Sequence, residues 1–228
     1  MTERTQAAVS ALFAWPAQTA VGRPVPKTKV YAHARPGSRL RDLFVAQVEQ
    51  ILWAHKLAPE TVNLAGSLAA PEIQVFRISL KTPVLDDVVL AAIDRAIPFP
   101  ILFELQHAGR VQAAAAYKRP SAARDQKWVA TDHFRTAWQD QEAPRTAMPI
   151  ALDLESLYQQ IVRAHLSLPA RPGESLPEQI ERMALVRRTE VAERKLAADL
   201  AREAQFNRKV DINAELRTIR ARLSNLTR

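Results

Sequence analysis

The chain has 228 residues, 47% of them apolar, enough to bury one substantial core and carry an appendage. It has no cysteine, which excludes disulfides, thiolate catalysis and Cys-type zinc sites, and its five histidines show neither HxxxH nor HExxH spacing, so neither metal nor cofactor is expected. The formal charge of +8 makes an anionic partner such as DNA an expectation, because clustered Lys and Arg displace counterions from a phosphate backbone. No apolar run reaches the ~18 residues of a membrane span. Met1 to Phe13 carries Glu3 and Arg4 and lacks a signal-peptide pattern, so a cytoplasmic protein that makes no membrane contact is expected.

The stretch from Trp15 to Gly37 is rich in Pro and basic residues, and its piece KTKVYAH reads as a strand added to a sheet edge. Arg23, Lys27, Lys29, Arg35, Arg39 and Arg41 follow one another without an acid between them, which marks them as expected nucleic-acid contacts. Ser38 offers a helix N-cap. Leu40, Leu43, Phe44, Val48, Ile51 and Leu52 then recur at helical spacing, predicting an amphipathic helix to about Lys56 with His55 on its buried stripe.

Glu72 to Leu80, EIQVFRISL, reads as a strand. Thr82 and Pro83 predict a helix start, with Asp86 and Asp87 near the positive end of the dipole and an apolar stripe through Leu85, Val88, Val89, Ala92, Ile93, Ala96 and Ile97. With a further strand from Ile101 to Gln106, this predicts a parallel, right-handed βαβ unit.

The turn HAG suits a three-residue hairpin loop with Gly109 in the left-handed region. That register opposes Gln106 to Arg110 and Glu104 to Gln112, and collects Glu104, Gln106 and Lys118 on one polar face. Glu104 and Lys118 are therefore the candidate catalytic residues. A restriction-type nuclease holds a divalent ion between two carboxylates and uses a Lys beside the attacking water. Here Gln106 stands where that Lys is expected, and the nearest upstream acid, Asp94, reads as the polar side of a helix. The constellation is incomplete, and a polar stripe on the sheet accounts for the same residues.

A second basic concentration, Arg110, Lys118, Arg119, Arg124, Lys127 and Arg135, is interleaved with Tyr117, Trp128 and Phe134. From it Lys118, Arg119, Lys127 and Trp128 join the expected nucleic-acid contacts. Lys127 to Trp138 reads as one strand, which would place Asp132 and His133 on opposite faces. A helix is predicted from Leu154 to Leu168.

Prolines and a glycine in SLPARPGESLP mark a linker, beyond which no Gly or Pro interrupts the charged sequence after Pro177. Ile212, Leu216, Ile219, Leu223 and Leu226 repeat at four, three, four and three, a coiled-coil seam that serves as the candidate partner-binding surface. The seam needs cover from a second copy, from its own chain or from another subunit. Its register shifts near Gln205 to Lys209 through a stutter or a reversal, and the lack of turn residues favours a continuous helix. The expected class is α/β or α+β, a mixed sheet with a βαβ unit and a hairpin, plus a long C-terminal helical coiled-coil arm. The expected divisions are an N-terminal helix/loop segment 1–24, an α/β core domain 25–168, a linker 169–177 and the helical coiled-coil arm 178–228.

The pieces EIQVFRISLK, AIDRAIPFPILFEL, RVQAAAAYKR, LYQQIVRAHLSLPARPGESL and AQFNRKVDINAELRTIRARL resemble the bacterial family called domain of unknown function 4391, and the likeness spans almost the whole chain. The resemblance implies an accessory protein encoded beside DNA methyltransferases and large helicases of restriction or phage-defence systems. It carries over no catalytic residue. The leading expectation is thus a non-enzymatic accessory subunit that contacts DNA through its basic clusters. Its arm would dock on a helicase or methyltransferase, or on a second copy as a homo-oligomer. A divergent metal-dependent nuclease using Glu104 with Lys118, and a structural adaptor without nucleic-acid contact, are the alternatives.

Overall fold

Runs of β-branched and aromatic residues build the sheet that organises the N-terminal part of the chain. The computed structural model describes residues 12–121 and 128–228, in two units, Met1–Leu166 and Ser167–Arg228. In the first unit the strands are β1 (Phe13–Ala14), β2 (Ala20–Pro24), β3 (Val48–Leu57), β4 (Ile73–Leu80), β5 (Ile101–His107), β6 (Arg110–Ala115), β7 (Lys118–Pro120), β8 (Trp128–Ala130), β9 (Phe134–Arg135), β10 (Gln139–Asp140) and β11 (Thr146–Ala147). Its helices are α1 (Lys27–Ala34), α2 (Ser38–Gln47), α3 (Pro59–Val62), α4 (Asp87–Ala96) and α5 (Leu154–Arg163). The main sheet runs β10-β6-β5-β4-β3-β2, with β9 also on β6, and β1-β11 and β7-β8 form two small sheets. Strands β4 and β5 are parallel with α4 between them, the predicted βαβ unit, and the other neighbours in the main sheet are antiparallel.

One face of the sheet holds the main core, where Phe76, Ile78, Phe103, Leu105 and Ala114 meet Phe44 of α2 and Val89, Leu90 and Ile93 of α4. On the other face Leu12 covers Val111 and Ala113. Both faces are therefore covered, which decides several differences from the sequence reading.

KTKVYAH is the helix α1, not an edge strand. Val30 and Ala34, four residues apart, form its buried stripe, and Arg35 ends it with φ of 47°. The helix predicted from Ser38 to Lys56 stops at Gln47 and continues as β3. Bulges between Val48 and Gln50 and between Trp53 and His55 make the buried positions of β3 fall on every third residue, Val48, Ile51, Ala54 and Leu57, a spacing that imitates a helix in the sequence. The change of structure needs no Gly or Pro because two lysines cap α2. Lys27 Nζ donates to the carbonyls of Phe44 (3.0 Å) and Val48 (2.5 Å), and Lys81 Nζ to that of Val45 (2.8 Å).

Helix α4 starts at Asp87 rather than at Thr82 and Pro83: Asp86 is the cap, its carboxylate accepting from the Val88 amide, while the Thr82 hydroxyl donates to the Val84 carbonyl. The expected strand from Lys127 to Trp138 is two short ones, β8 on β7 and β9 on β6, and Lys127 lies outside the described residues. Helix α5 ends at Arg163, short of Leu168.

The β5-β6 hairpin differs by one residue in register. His107 pairs with Arg110 across a two-residue loop, Ala108 (φ 47°) and Gly109 (φ 75°), so Glu104 opposes Ala113 and Gln106 opposes Val111. This register puts polar groups on both faces, as a doubly covered sheet allows when each finds a partner. Gln112 donates to the Thr136 carbonyl at 2.7 Å, and the His107 ring bonds the Leu80 carbonyl at 3.1 Å. Ala108 is an L-residue in a left-handed position that asparagine adopts more easily. The substitution Ala108→Asn is expected to stabilise the fold by about 1 kcal/mol, read as a rise in the urea midpoint.

The second unit is a helical hairpin of α6 (Leu176–Arg202) and α7 (Phe206–Thr227), so the expected continuous helix is corrected to a reversal. The turn is made without Gly or Pro: Glu203 is extended and its carboxylate accepts from the Gln205 amide at 2.9 Å. Ser175 and Glu178 form a capping box at the start of α6. Arg182, 6% exposed, binds Glu174 through two nitrogens (2.6 and 2.8 Å) and the Leu226 carbonyl (2.9 Å), closing the hairpin at its open end. Leu216 is buried and Ile212, Ile219, Leu223 and Leu226 half-buried where α7 lies on α6, so the seam finds cover within its own unit.

Candidate nucleic-acid interface

Glu104 sits mid-strand in β5 with a side chain only 4% exposed, and it meets four donors. Arg145, from the segment before β11, forks onto it (2.6 and 3.1 Å), Trp15 Nε1 donates at 3.1 Å, and Arg77, its cross-strand neighbour on β4, approaches to 3.4 Å. Burial alone would raise the Glu104 pKa. The Arg145 bonds and charge, with Trp15 and Arg77, outweigh it and hold the carboxyl below its ordinary range. Beside this network, the His55 ring bonds the Thr19 hydroxyl at 3.0 Å, and burial foremost lowers its pKa. These donors fill the acceptor capacity of Glu104, leaving none to hold a metal ion. Among the described residues no three His, Asp or Glu side chains cluster as a metal site.

Lys118 is not on the face of Glu104, as the longer loop had implied. Its ammonium bonds the carbonyls of Asp94 and Ile97 at the C-terminal end of α4, the helix that covers the opposite face, and lies 3.5 Å from the Asp94 carboxylate. The side chain is 3% exposed, and burial foremost lowers its pKa against the opposing pull of Asp94. The second Asp94 oxygen meets His133 Nε2 at 2.5 Å. Tyr158 completes the anchorage: its hydroxyl donates to the Ala116 carbonyl and accepts from the Lys118 amide at 3.0 Å. The three N–H groups of Lys118 thus have three acceptors, and the amine serves as a cap for α4. Glu104 and Lys118 form no joint site.

The expected nucleic-acid contacts divide in two. Lys29, Arg35 and Arg39 are exposed on the α1-α2 pair, with Arg23 exposed at the end of β2 and Arg119 on β7. Arg41 is exposed as well, with its guanidinium 5.8 Å from the Tyr31 ring centre. Lys27 is engaged as the α2 cap, and Lys118 is buried, so neither faces a phosphate. Trp128 is half-buried in β8. Arg77, Arg145, Trp15 and His133, which complete the two networks, were missed in the sequence because no short spacing ties them to Glu104 or Asp94.

No helix among the described residues is long and apolar enough to cross a membrane. No curated protein and no solved structure matches the chain. The family model of the domain of unknown function DUF4391 matches residues 13–223, and the chain belongs to that family.

Proposed function

We propose that this chain is a non-enzymatic, cytoplasmic accessory subunit of a bacterial restriction or phage-defence system that grips DNA through the α1-α2 pair. Its second unit would dock on a helicase or methyltransferase partner. The observation that carries the DNA contact is the acid-free run from Arg23 to Arg41, in which Arg23, Lys29, Arg35, Arg39 and Arg41 stay exposed. The nuclease alternative is weaker because the donors around Glu104 and the acceptors around Lys118 use both groups. The side chains of Lys29, Arg35 and Arg39 are exposed and make no hydrogen bond or ion pair among the described residues, so reversing them to Glu tests the contact with little expected effect on the fold. Binding of a labelled DNA duplex across a salt series is expected to weaken more than tenfold at low salt, with the log-log salt slope reduced by about 3. Unchanged, salt-insensitive binding, or none in the native chain, would leave the structural adaptor.

A further inference from the structure

Behind β7 and β8 lies a cavity of about 600 Å³ that none of the roles above uses. Its inner end is built by Asp94 and Lys118, with His133 beside them. Since a carboxylate only accepts, the His133 nitrogen facing Asp94 carries the proton, and the other ring nitrogen, Nδ1, makes no bond among the described residues. Ile97, Pro98 and Trp128 add apolar and aromatic wall, and the exposed Arg95 and Asp132 stand at the mouth. The formal charges of Asp94 and Asp132 balance those of Arg95 and Lys118. A balanced cavity with an aromatic wall suits an uncharged polar ring better than a phosphate.

We propose that this cavity receives one unstacked base of a bound DNA strand, stacked on Trp128 and read at its edge by Asp132 and His133. The inference deepens the DNA-contacting reading and rests on it. The Asp132 carboxylate, which only accepts, favours at the reading edge a base with an exocyclic amino group, as cytosine offers and thymine does not. Arg95 at the mouth is placed to meet the phosphate of the same nucleotide.

The test uses the full chain with three labelled single strands of equal length and charge: oligo-dC, oligo-dT and an abasic strand. Oligo-dC is expected to bind on the order of tenfold tighter than the abasic strand, with oligo-dT between them. Trp128→Ala should abolish that difference without weakening abasic binding, and Trp128→Phe should keep most of it. Equal affinity for all three strands, or a preference that survives Trp128→Ala, overturns the proposal. Should Trp128→Ala not fold, Asp132→Ala on the exposed mouth is expected to erase the preference for oligo-dC over oligo-dT, and a retained preference overturns it equally. Free deoxycytidine, probed by saturation-transfer NMR, separates this proposal from the DNA reading because it carries no phosphate. Saturation of the nucleoside that depends on Trp128, without binding of any strand, would keep the base pocket and discard the basic grip; absence of both discards both.

Discussion

Replacing Lys118 by methionine is expected to destabilise the first unit by about 3 kcal/mol, although methionine has a similar length and suits a buried position. The ammonium has three acceptors, the Asp94 carboxylate and the carbonyls of Asp94 and Ile97. Removing it strands all three in a site where the lysine is 3% exposed, and leaves Asp94 with His133 alone. Each stranded acceptor costs about 1–3 kcal/mol, reduced where water enters from the neighbouring cavity. All four tryptophans, Trp15, Trp53, Trp128 and Trp138, belong to this unit, so their emission under urea reports its unfolding separately from the helical hairpin. Arg95→Ala, at the exposed mouth of the same cavity, is the control and is expected to leave the midpoint unchanged. If Lys118→Met proved as stable as the native chain, the amine would not be the cap of α4, and a functional role for it would return.

The parallel βαβ unit was legible in the sequence because its signals are local: β-branched strands, an apolar helical stripe and prolines that stop it. Strand β3 was not, because its two bulges space the buried residues as a helix would, and because the lysines that cap α2 lie upstream and downstream of it. The hairpin register turned on whether one face or both are covered, a property of the whole fold that no turn sequence carries. The α6-α7 reversal was hidden by a turn that uses a glutamate side chain in place of Gly or Pro. The polar networks show the same limit. Glu104 and Lys118 stood out as charges on strands, but Arg145 lies 41 residues and Trp15 89 residues from Glu104, and His133 lies 39 from Asp94. Read as isolated groups they resembled fragments of a catalytic site. Their partners make them ties between distant segments, whereas Lys29 on α1 and Arg39 and Arg41 on α2 stay exposed.

The other large effect is expected at Arg145, and its signature is a change in pH dependence. In the native chain the folded-state pKa of Glu104 lies below the unfolded value of ~4.3, so its contribution to stability is present above that value and is lost as pH falls through the folded pKa. Arg145→Ala removes the two closest charged bonds and leaves Trp15 and the longer contact with Arg77. Burial then dominates, and the carboxyl moves above its ordinary range. The variant should be less stable than the native chain by about 3 kcal/mol at neutral pH, where an underpaired carboxylate stays buried. Because its folded state now binds a proton more readily than its unfolded state, the deficit should shrink as pH falls from about 7 to about 5. Glu104→Gln provides the cycle: in its background Arg145→Ala should cost less, and the remaining cost should vary with pH only through the neighbouring His55, whose pKa the Arg145 charge helps to lower. A deficit that stays constant with pH in the Arg145→Ala single variant would show that Glu104 is not the group Arg145 holds charged, and the cost of the variant would have to be assigned to the lost Arg145 bond with the Phe13 carbonyl on β1 instead.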